Sequence, residues 1–471
     1  MVRAATPEAY ALMHNGALAL SRMEANGVKI DLDYLHRTMS EIQDRIRSME
    51  GRLWESEVGG RWRRRFGDRA AVDSREQLAT ILFSDMGVGG GKITAGGKLS
   101  ADVEVLERLD TPFTRNYTKL QKLKKVYGTY LTGLLRETEN GILHPFFSLH
   151  TVRTYRSSSS NPNLQNIPIR DPDIAAIIRP SFLPHHPDHH ILEIDIKAAE
   201  VRVAACYHQD PTMLKYIREN YDMHRDMALE CFKLDADDFK TLGQKSYLDD
   251  IRQQVKALFV FAEFYGSYWL NVAPSLWEAC DRYKLNGPDG RPLKDWLLTH
   301  GVAELGEVRR GERPRAGTFT NHIMQVEDNF WNRRFPVYRD WKKRWFAAYQ
   351  KEGGFSTLTG FRIDGILGRN DVINYPVQGS AFHCLLWCLT DITNWLTARN
   401  MRSMLVGQIH DSLLASVHTN ELAEFVAYVR HVFTAKLPAA WRWIITPMDI
   451  DIALAPLGQS WHQKQKMKLT A

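Results

Sequence analysis

The sequence predicts an α+β fold in which a small antiparallel sheet is flanked by large helical regions. Residues 7–57, 111–137 and much of 212–350 place apolar side chains at helical spacing, whereas from Gly141 the pattern shifts to short β-like runs, ILHPFFSLHTV and then ILEIDI. A hairpin follows near the end, with MLVGQI at 404–409 and LLASV at 413–417 separated by a turn at His410-Asp411. With 471 residues, 44% of them hydrophobic, the chain can fill a large core and about two to four domain-sized units.

In chain order, Leu12, Leu18, Leu20, Met23 and Val28 lie on apolar faces within 7–57, and Gly27 and Asp31 punctuate them, which predicts an antiparallel helical pair. A basic stretch, RWRRRFGDR at 61–69, precedes Ser74, which is placed to cap the helix SREQLATILF. The glycine-rich GVGGGKITAGGKLS resembles a phosphate loop, but Ile93 follows Gly91-Lys92 and Leu99 follows Gly97-Lys98. The Ser/Thr that such a loop offers to magnesium is missing, and a surface loop is predicted. The helix over 111–137 carries Lys119, Lys122, Lys124 and Lys125 beside Tyr117 and Tyr127, as either a solvated face or a phosphate-contacting one. Helices return near Ala198 and run to about 350, with a polar, loop-like middle at 286–317. A helix over 379–400, the hairpin, a helix from Glu421 and a closing strand at 448–453 complete the chain.

Sixty-one Lys and Arg against 55 acidic residues leave +6, which suits a polyanionic partner without requiring one. The five cysteines contain no C-x-x-C pair, so neither a zinc ribbon nor a disulfide framework is expected, and a reducing compartment fits. No signal-like N-terminus and no apolar run of about 18 residues is present; a cytoplasmic location with no membrane partner is expected, in the host cytoplasm if the chain is viral.

Two acidic residues stand where apolar strands end. Asp195 stands one residue before the end of ILEIDI and Asp411 occupies the hairpin turn. Singly, each could be a helix cap or an ordinary turn aspartate. Together they offer paired carboxylates on rigid backbone, able to bridge two hard cations roughly 3.5 to 4 Å apart.

The stretches around these residues resemble DNA polymerases of family A. DIKAAEVR at 195–202 is similar to motif A, RQQVKALFVFAEFYG at 252–266 to motif B and QIHDS at 408–412 to motif C, in the family's order. RSSSSNPNLQNIP at 156–168, IRPSF at 178–182 and NYPVQGSA at 374–381 extend the resemblance, and SREQL, FSTLTGFR and GQSW carry it over nearly the whole chain. It implies a right-hand fold with an antiparallel-sheet palm, helical fingers and a helical thumb: thumb 1–147, palm 148–212, fingers 213–345 and the rest of the palm 346–471. It also implies a DNA-directed DNA polymerase that joins dNTPs to a primer 3′-hydroxyl on primer-template DNA and releases pyrophosphate. By the same resemblance, Asp195 and Asp411 bind two Mg2+ ions, for which Mn2+ may substitute. Arg252, Lys256 and His224 grip the triphosphate, and Lys256 also protonates pyrophosphate. Glu200 excludes a 2′-hydroxyl, while Phe261 faces the sugar and Tyr265 stacks beside the templating base. Arg156 and Gln378 reach the minor groove at the primer end. Asn163, Gln165, Asn166, Asn374 and His410 complete the DNA-contacting set.

The chain departs from the family pattern in places. Ile196, Lys197 and Ala198 replace the usual tyrosine, serine and glutamine, and Ser412 replaces a common glutamate. Motif B is one residue longer between Lys256 and Tyr265, as in certain phage polymerases. A one-residue π-bulge after Lys256 would bring Phe261 and Tyr265 onto the face of Arg252 and Lys256, where a regular helix would bring Val260 and Phe264. In the family, a tyrosine at the sugar-facing position accepts dideoxynucleotides far better than a phenylalanine. Upstream of Leu12 there is no room for a proofreading domain, so no exonuclease is expected here, and a separate exonuclease, helicase or processivity factor would be a partner. Two alternatives share the pattern: a single-subunit RNA polymerase, against which Glu200 argues, and a catalytically degenerate DNA-binding subunit, against which the intact Asp195, Asp411, Arg252 and Lys256 argue. PHHPDHH at 184–190 is expected to be a structural turn, and Cys384 and Cys388 to pack in the core.

Overall fold

The computed structural model describes residues 2–93, 97, 99–168, 171–239, 242–308 and 311–467. Its centre is a five-stranded antiparallel sheet in the order Met404–Ile409, Ser412–His418, His189–Ile196, Ile450–Leu454, Gln465–Lys466. The middle strand reads HHILEIDI because both of its faces are covered. Ile191, Leu192 and Ile194 are each at most 1% exposed, a burial that favours a continuous apolar run over alternation.

Much of that cover is the helix Arg369–Ala398, with 17 buried residues. The first helix, Pro7–Asn26, capped by Thr6, packs against it so closely that a Cβ on Gly16 would lie 2.7 Å from Leu386. The expected antiparallel pair within 7–57 does not form as drawn. A strand, Val28–Ile30, intervenes and pairs with Ile142–Leu143 and Phe182–Leu183, and the next helix, Leu32–Glu55, packs instead on Pro112–Lys125. Leu18, assigned to an apolar face, is 54% exposed. Ser74 does cap the helix that follows, accepting from the Gln77 amide at 3.3 Å.

Among the described residues, two further large apolar cores stand apart from the one at the sheet, besides a small cluster of Tyr349, Phe355, Ile363 and Val372. One gathers Leu53, Trp62, Leu78 and Leu120 in the N-terminal part. The other gathers Met227, Ile251, Phe259, Leu276, Phe319 and Phe330 from the helices between 205 and 345. The expected loop at 286–317 contains a helix, Leu293–Thr299, whose Leu293 and Leu297 are fully buried; its seven residues are too few for periodicity to reveal. In the glycine-rich stretch, Lys92–Ile93 and Leu99–Ser100 pair as short strands, so its ends are a hairpin, while 94–96 and 98 lie outside the described residues. The basic face of 111–137 is partly spent internally, since Lys122 pairs with Asp171 and Lys124 with Glu50 and Asp73.

Asp210 ties the sheet-bearing region to the helices beyond it. It is fully buried, caps Pro211–Arg218, and also accepts the Val337 and Tyr338 amides at 3.0 and 3.1 Å, at the start of the helix Pro336–Glu352.

Candidate active site

The sheet brings the two sequence-predicted carboxylates to one end. Asp195 is directly opposite Ser412 on one neighbouring strand and Asp451 on the other. Asp411 immediately precedes Ser412, in a turn that His410 makes with φ 53°, a left-handed conformation uncommon for a residue with a side chain. Burial, then the nearby charges of Asp411, Glu193 and Asp451, push the Asp195 carboxyl up to about 7, and Lys464 offsets part of this. Arg156 bridges the site. One guanidinium nitrogen donates to Asp411 at 3.2 Å and another to Glu200 at 3.1 Å. Glu200 is held from a second side by the hydroxyl of Tyr265.

Opposite the carboxylates, the helix Leu242–Val255 runs into a π-turn at Lys256–Phe261 and continues as Ala262–Phe264. The bulged register expected from the extra residue is therefore present. Val260 is 0% exposed in the helical core, while Lys256, Phe261 and Tyr265 line a cavity of about 360 Å³ with Glu200, His224 and Asp411. The ammonium of Lys256 lies 5.6 Å from the Phe261 ring centre, and His224 meets that ring edge-on at 5.6 Å. Burial and the cations of Lys256 and Arg252 lower His224 to about 4, so its imidazole is neutral near pH 7. Among the described residues, its buried Nδ1 has no hydrogen-bond partner. Arg252 pairs with Asp222 at 2.6 Å.

A second cleft of about 420 Å³ adjoins the first and is lined by Arg156, Gln165, Gln378 and His410 together with Arg153 and Tyr375. Gln378 lines both cavities, and Asn374 lines the first, donating to the Tyr265 carbonyl at 3.4 Å. Asn163 and Asn166 do not line either one. The Asn163 side chain caps the turn Leu164–Asn166 by accepting the Gln165 amide at 3.0 Å.

Several neighbours were not picked out from sequence. Gln408, wholly buried, accepts from Ser157 at 2.5 Å and from Gln165 at 3.0 Å and donates to the His410 carbonyl, which braces the Asp411 turn. Asp222 stands two residues before His224, close enough in sequence to have been noticed; Arg153 and Asp451 carry no such signal. Among the described residues, no group of three or more His, Cys, Asp or Glu side chains is arranged to hold a metal ion. The histidines at 184–190 serve packing instead: His189 bonds Ser416 at 3.0 Å, and His190 bonds the Ala455 carbonyl at 3.0 Å. Cys384 and Cys388 are buried. No helix among the described residues is long and apolar enough to cross a membrane.

Comparison with known proteins follows the same lines. DNA polymerase I of Geobacillus stearothermophilus is 26% identical over 452 residues, which cover 93% of this chain and 44% of that protein. DNA polymerase I of Bacillus subtilis is 26% identical over 461 residues, 95% of this chain and 44% of that protein. The chain thus spans less than half the length of these relatives. Among solved structures, the POL domain of Pol1 from M. smegmatis, in complex with DNA primer-template and dNTP, superposes with a TM-score of 0.72 at 22% identity, covering 96% of this chain and 70% of that one. The fold is therefore the right-hand polymerase fold, with the antiparallel sheet as palm. The family model for DNA polymerase family A matches residues 32–277 and 328–463, a span that takes in both walls of the cleft and the sheet beneath it, and the chain belongs to that family.

Proposed function

We propose that this chain extends a DNA primer 3′-hydroxyl with deoxynucleoside triphosphates under template direction and releases pyrophosphate. The observation that carries the proposal is the cavity that Asp411 and the cationic Lys256 line together, with Asp195 beside Asp411 at the end of the sheet and Arg252 one helical turn before Lys256. A carboxyl raised by burial and then by the charge of a neighbouring carboxylate, as Asp195 is beside Asp411, fits a hard divalent cation, and Mg2+ is commonly held by one or two carboxylates plus substrate phosphates. Asp195 and Asp411 would hold two Mg2+ ions, or Mn2+, which lower the pKa of the primer hydroxyl and offset charge on the triphosphate.

The chain's own residues supply the rest. Lys256 and Arg252, with the neutral N–H of His224, bind phosphate oxygens, and Lys256 delivers the proton to departing pyrophosphate. Glu200, fixed by Arg156 and Tyr265, fills the space a 2′-hydroxyl would need. Phe261 packs against the deoxyribose, and Tyr265 stacks beside the template base. Gln378, and Arg156 once it turns from Asp411, donate to minor-groove acceptors shared by every correct base pair. Gln165, Asn374 and His410 line the adjoining path, and Asn163 and Asn166 support it from the turn beside it.

Primer extension with each dNTP and rNTP, with and without Mg2+, tests the proposal. The expected outcome is template-matched, cation-dependent dNTP addition. A preference for rNTPs would favour an RNA polymerase, and DNA binding without extension would favour a degenerate subunit. The proposal assigns no 3′ excision to residues 1–471, and release of a mismatched terminus without dNTPs would contradict that.

A further inference from the structure

Residues 278–327 are the stretch that falls between the two segments matched by the family. The described residues of this stretch are built into the fingers core rather than appended to it. Leu285, Leu293, Leu297 and Val302 are buried there, Trp296 donates to the Lys233 carbonyl at 3.3 Å, and Lys233 donates to the His300 carbonyl at 2.9 Å. This rigid platform begins at the end of the helix Trp269–Arg282, where the Arg282 guanidinium pairs with Glu107 on the helix Val103–Leu109. The partners stem from different cores, since Leu106 packs in the thumb and Cys280 in the fingers.

That ion pair completes a circuit. The thumb is joined to the palm through Val28–Ile30 on Phe182–Leu183 and through Pro7–Asn26 on Arg369–Ala398. The fingers are joined to the palm through Asp210. The Arg282 contact spans the remaining side. Beneath it lies a cavity of about 780 Å³ lined from both regions by charges of both signs, Arg108, Asp110 and Arg115 on one side and Glu278, Asp281 and Lys284 on the other. A groove that tracks DNA phosphates carries a clear excess of cations, whereas this mixture of signs is the pattern of two protein surfaces meeting.

We propose that the 278–327 insertion forms a docking surface for the thumb tip and closes a ring around the primer-template duplex. The proposal rests on the polymerase function above. A single, partly exposed ion pair shifts an equilibrium by up to about fivefold and weakens with salt, so the ring opens readily to admit DNA and delays its release.

Cross-linking tests it, because all five native cysteines are buried and leave an introduced pair as the reactive thiols. The double variant Glu107→Cys with Arg282→Cys is bridged with a short bis-maleimide before or after addition of a primed circular single strand. Bridging first should abolish binding to the circle, and bridging second should leave complexes that survive high salt on the circle but slide off a short linear duplex. Equal binding to the circle whichever step comes first would overturn the ring, as would failure of the pair to cross-link. DNA retention reads the ring without catalysis, and primer extension by the unbridged variant tests the polymerase function separately. In the uncross-linked chain, Glu107→Arg or Arg282→Glu should speed release of DNA about two- to fivefold, and the combined swap should restore it. Unrestored release in the swap would also count against the pairing.

Discussion

The π-turn at Lys256–Phe261 makes a paired prediction from adjacent residues. Val260 is 0% exposed, so Val260→Tyr forces a phenol into a filled core and should cost about 1 to 3 kcal/mol of stability. Phe261 lines the cavity beside Lys256, and Phe261→Tyr adds only a hydroxyl at its wall. A hydroxyl that bonds a charged phosphate oxygen contributes about 1.5 to 3 kcal/mol, so a dideoxynucleotide, which lacks the 3′-hydroxyl to make that bond, should be used roughly ten- to a hundredfold better by Phe261→Tyr. Single-turnover incorporation of ddNTP against dNTP, with thermal unfolding alongside, measures both effects. A gain in dideoxynucleotide use by Val260→Tyr with none by Phe261→Tyr would refute the bulged register and the sugar-facing role of Phe261.

Three further predictions concern other parts of the site. Asp195→Ala and Asp411→Ala should each lower extension by at least about 3 to 4 kcal/mol of transition-state stabilisation while primer-template binding, measured by fluorescence anisotropy, stays nearly intact; equal loss of both would oppose the assignment. Glu200→Ala should raise rNTP use relative to dNTP in competitive incorporation, since it empties the space that Arg156 and Tyr265 hold filled. Unchanged sugar selectivity would place the gate elsewhere. Glu263, 1% exposed and bonded by Trp331 at 2.8 Å, has its carboxyl pushed up to about 8, chiefly by burial and then by Glu327. A raised carboxyl pKa means stability that is present below the unfolded value of 4.5 and lost as pH rises through about 8. Glu263→Gln should therefore gain on the native chain between those limits, by about 3 kcal/mol at pH 7 in denaturant unfolding, and a pH-independent difference would contradict this.

The elements that carry chemistry were legible because their patterns are local. The strand that carries Asp195 one residue before its end, the turn at Asp411 and the extra residue in motif B each declare themselves within a few positions. What tertiary contacts decide was not. The helix predicted from 379 begins at Arg369, ten residues earlier, because Pro376 inside a helix reads as a boundary. The carbonyl that Pro376 leaves without its usual donor, that of Val372, is taken by the Trp345 indole at 2.9 Å, a partner 27 residues away. The helix Leu293–Thr299 and the separation of the first two helices likewise depend on which distant core receives them.

That indole has a mechanical consequence. The helix Pro336–Glu352 meets Asp210 at its first turn, lines the cavity beside Lys256 at Tyr338, and reaches the base of Arg369–Ala398 through Trp345. Asn374 and Gln378 ride on the turns just beyond that last attachment. A tilt of Pro336–Glu352 would act as a lever arm, with its pivot at Asp210 and its far end pulling on the turn that carries Asn374 and Gln378. Under the proposed function, the residues assigned to an incoming nucleotide and those assigned to the preceding pair would then shift in concert, which would tie acceptance of a new nucleotide to the geometry of the one already joined.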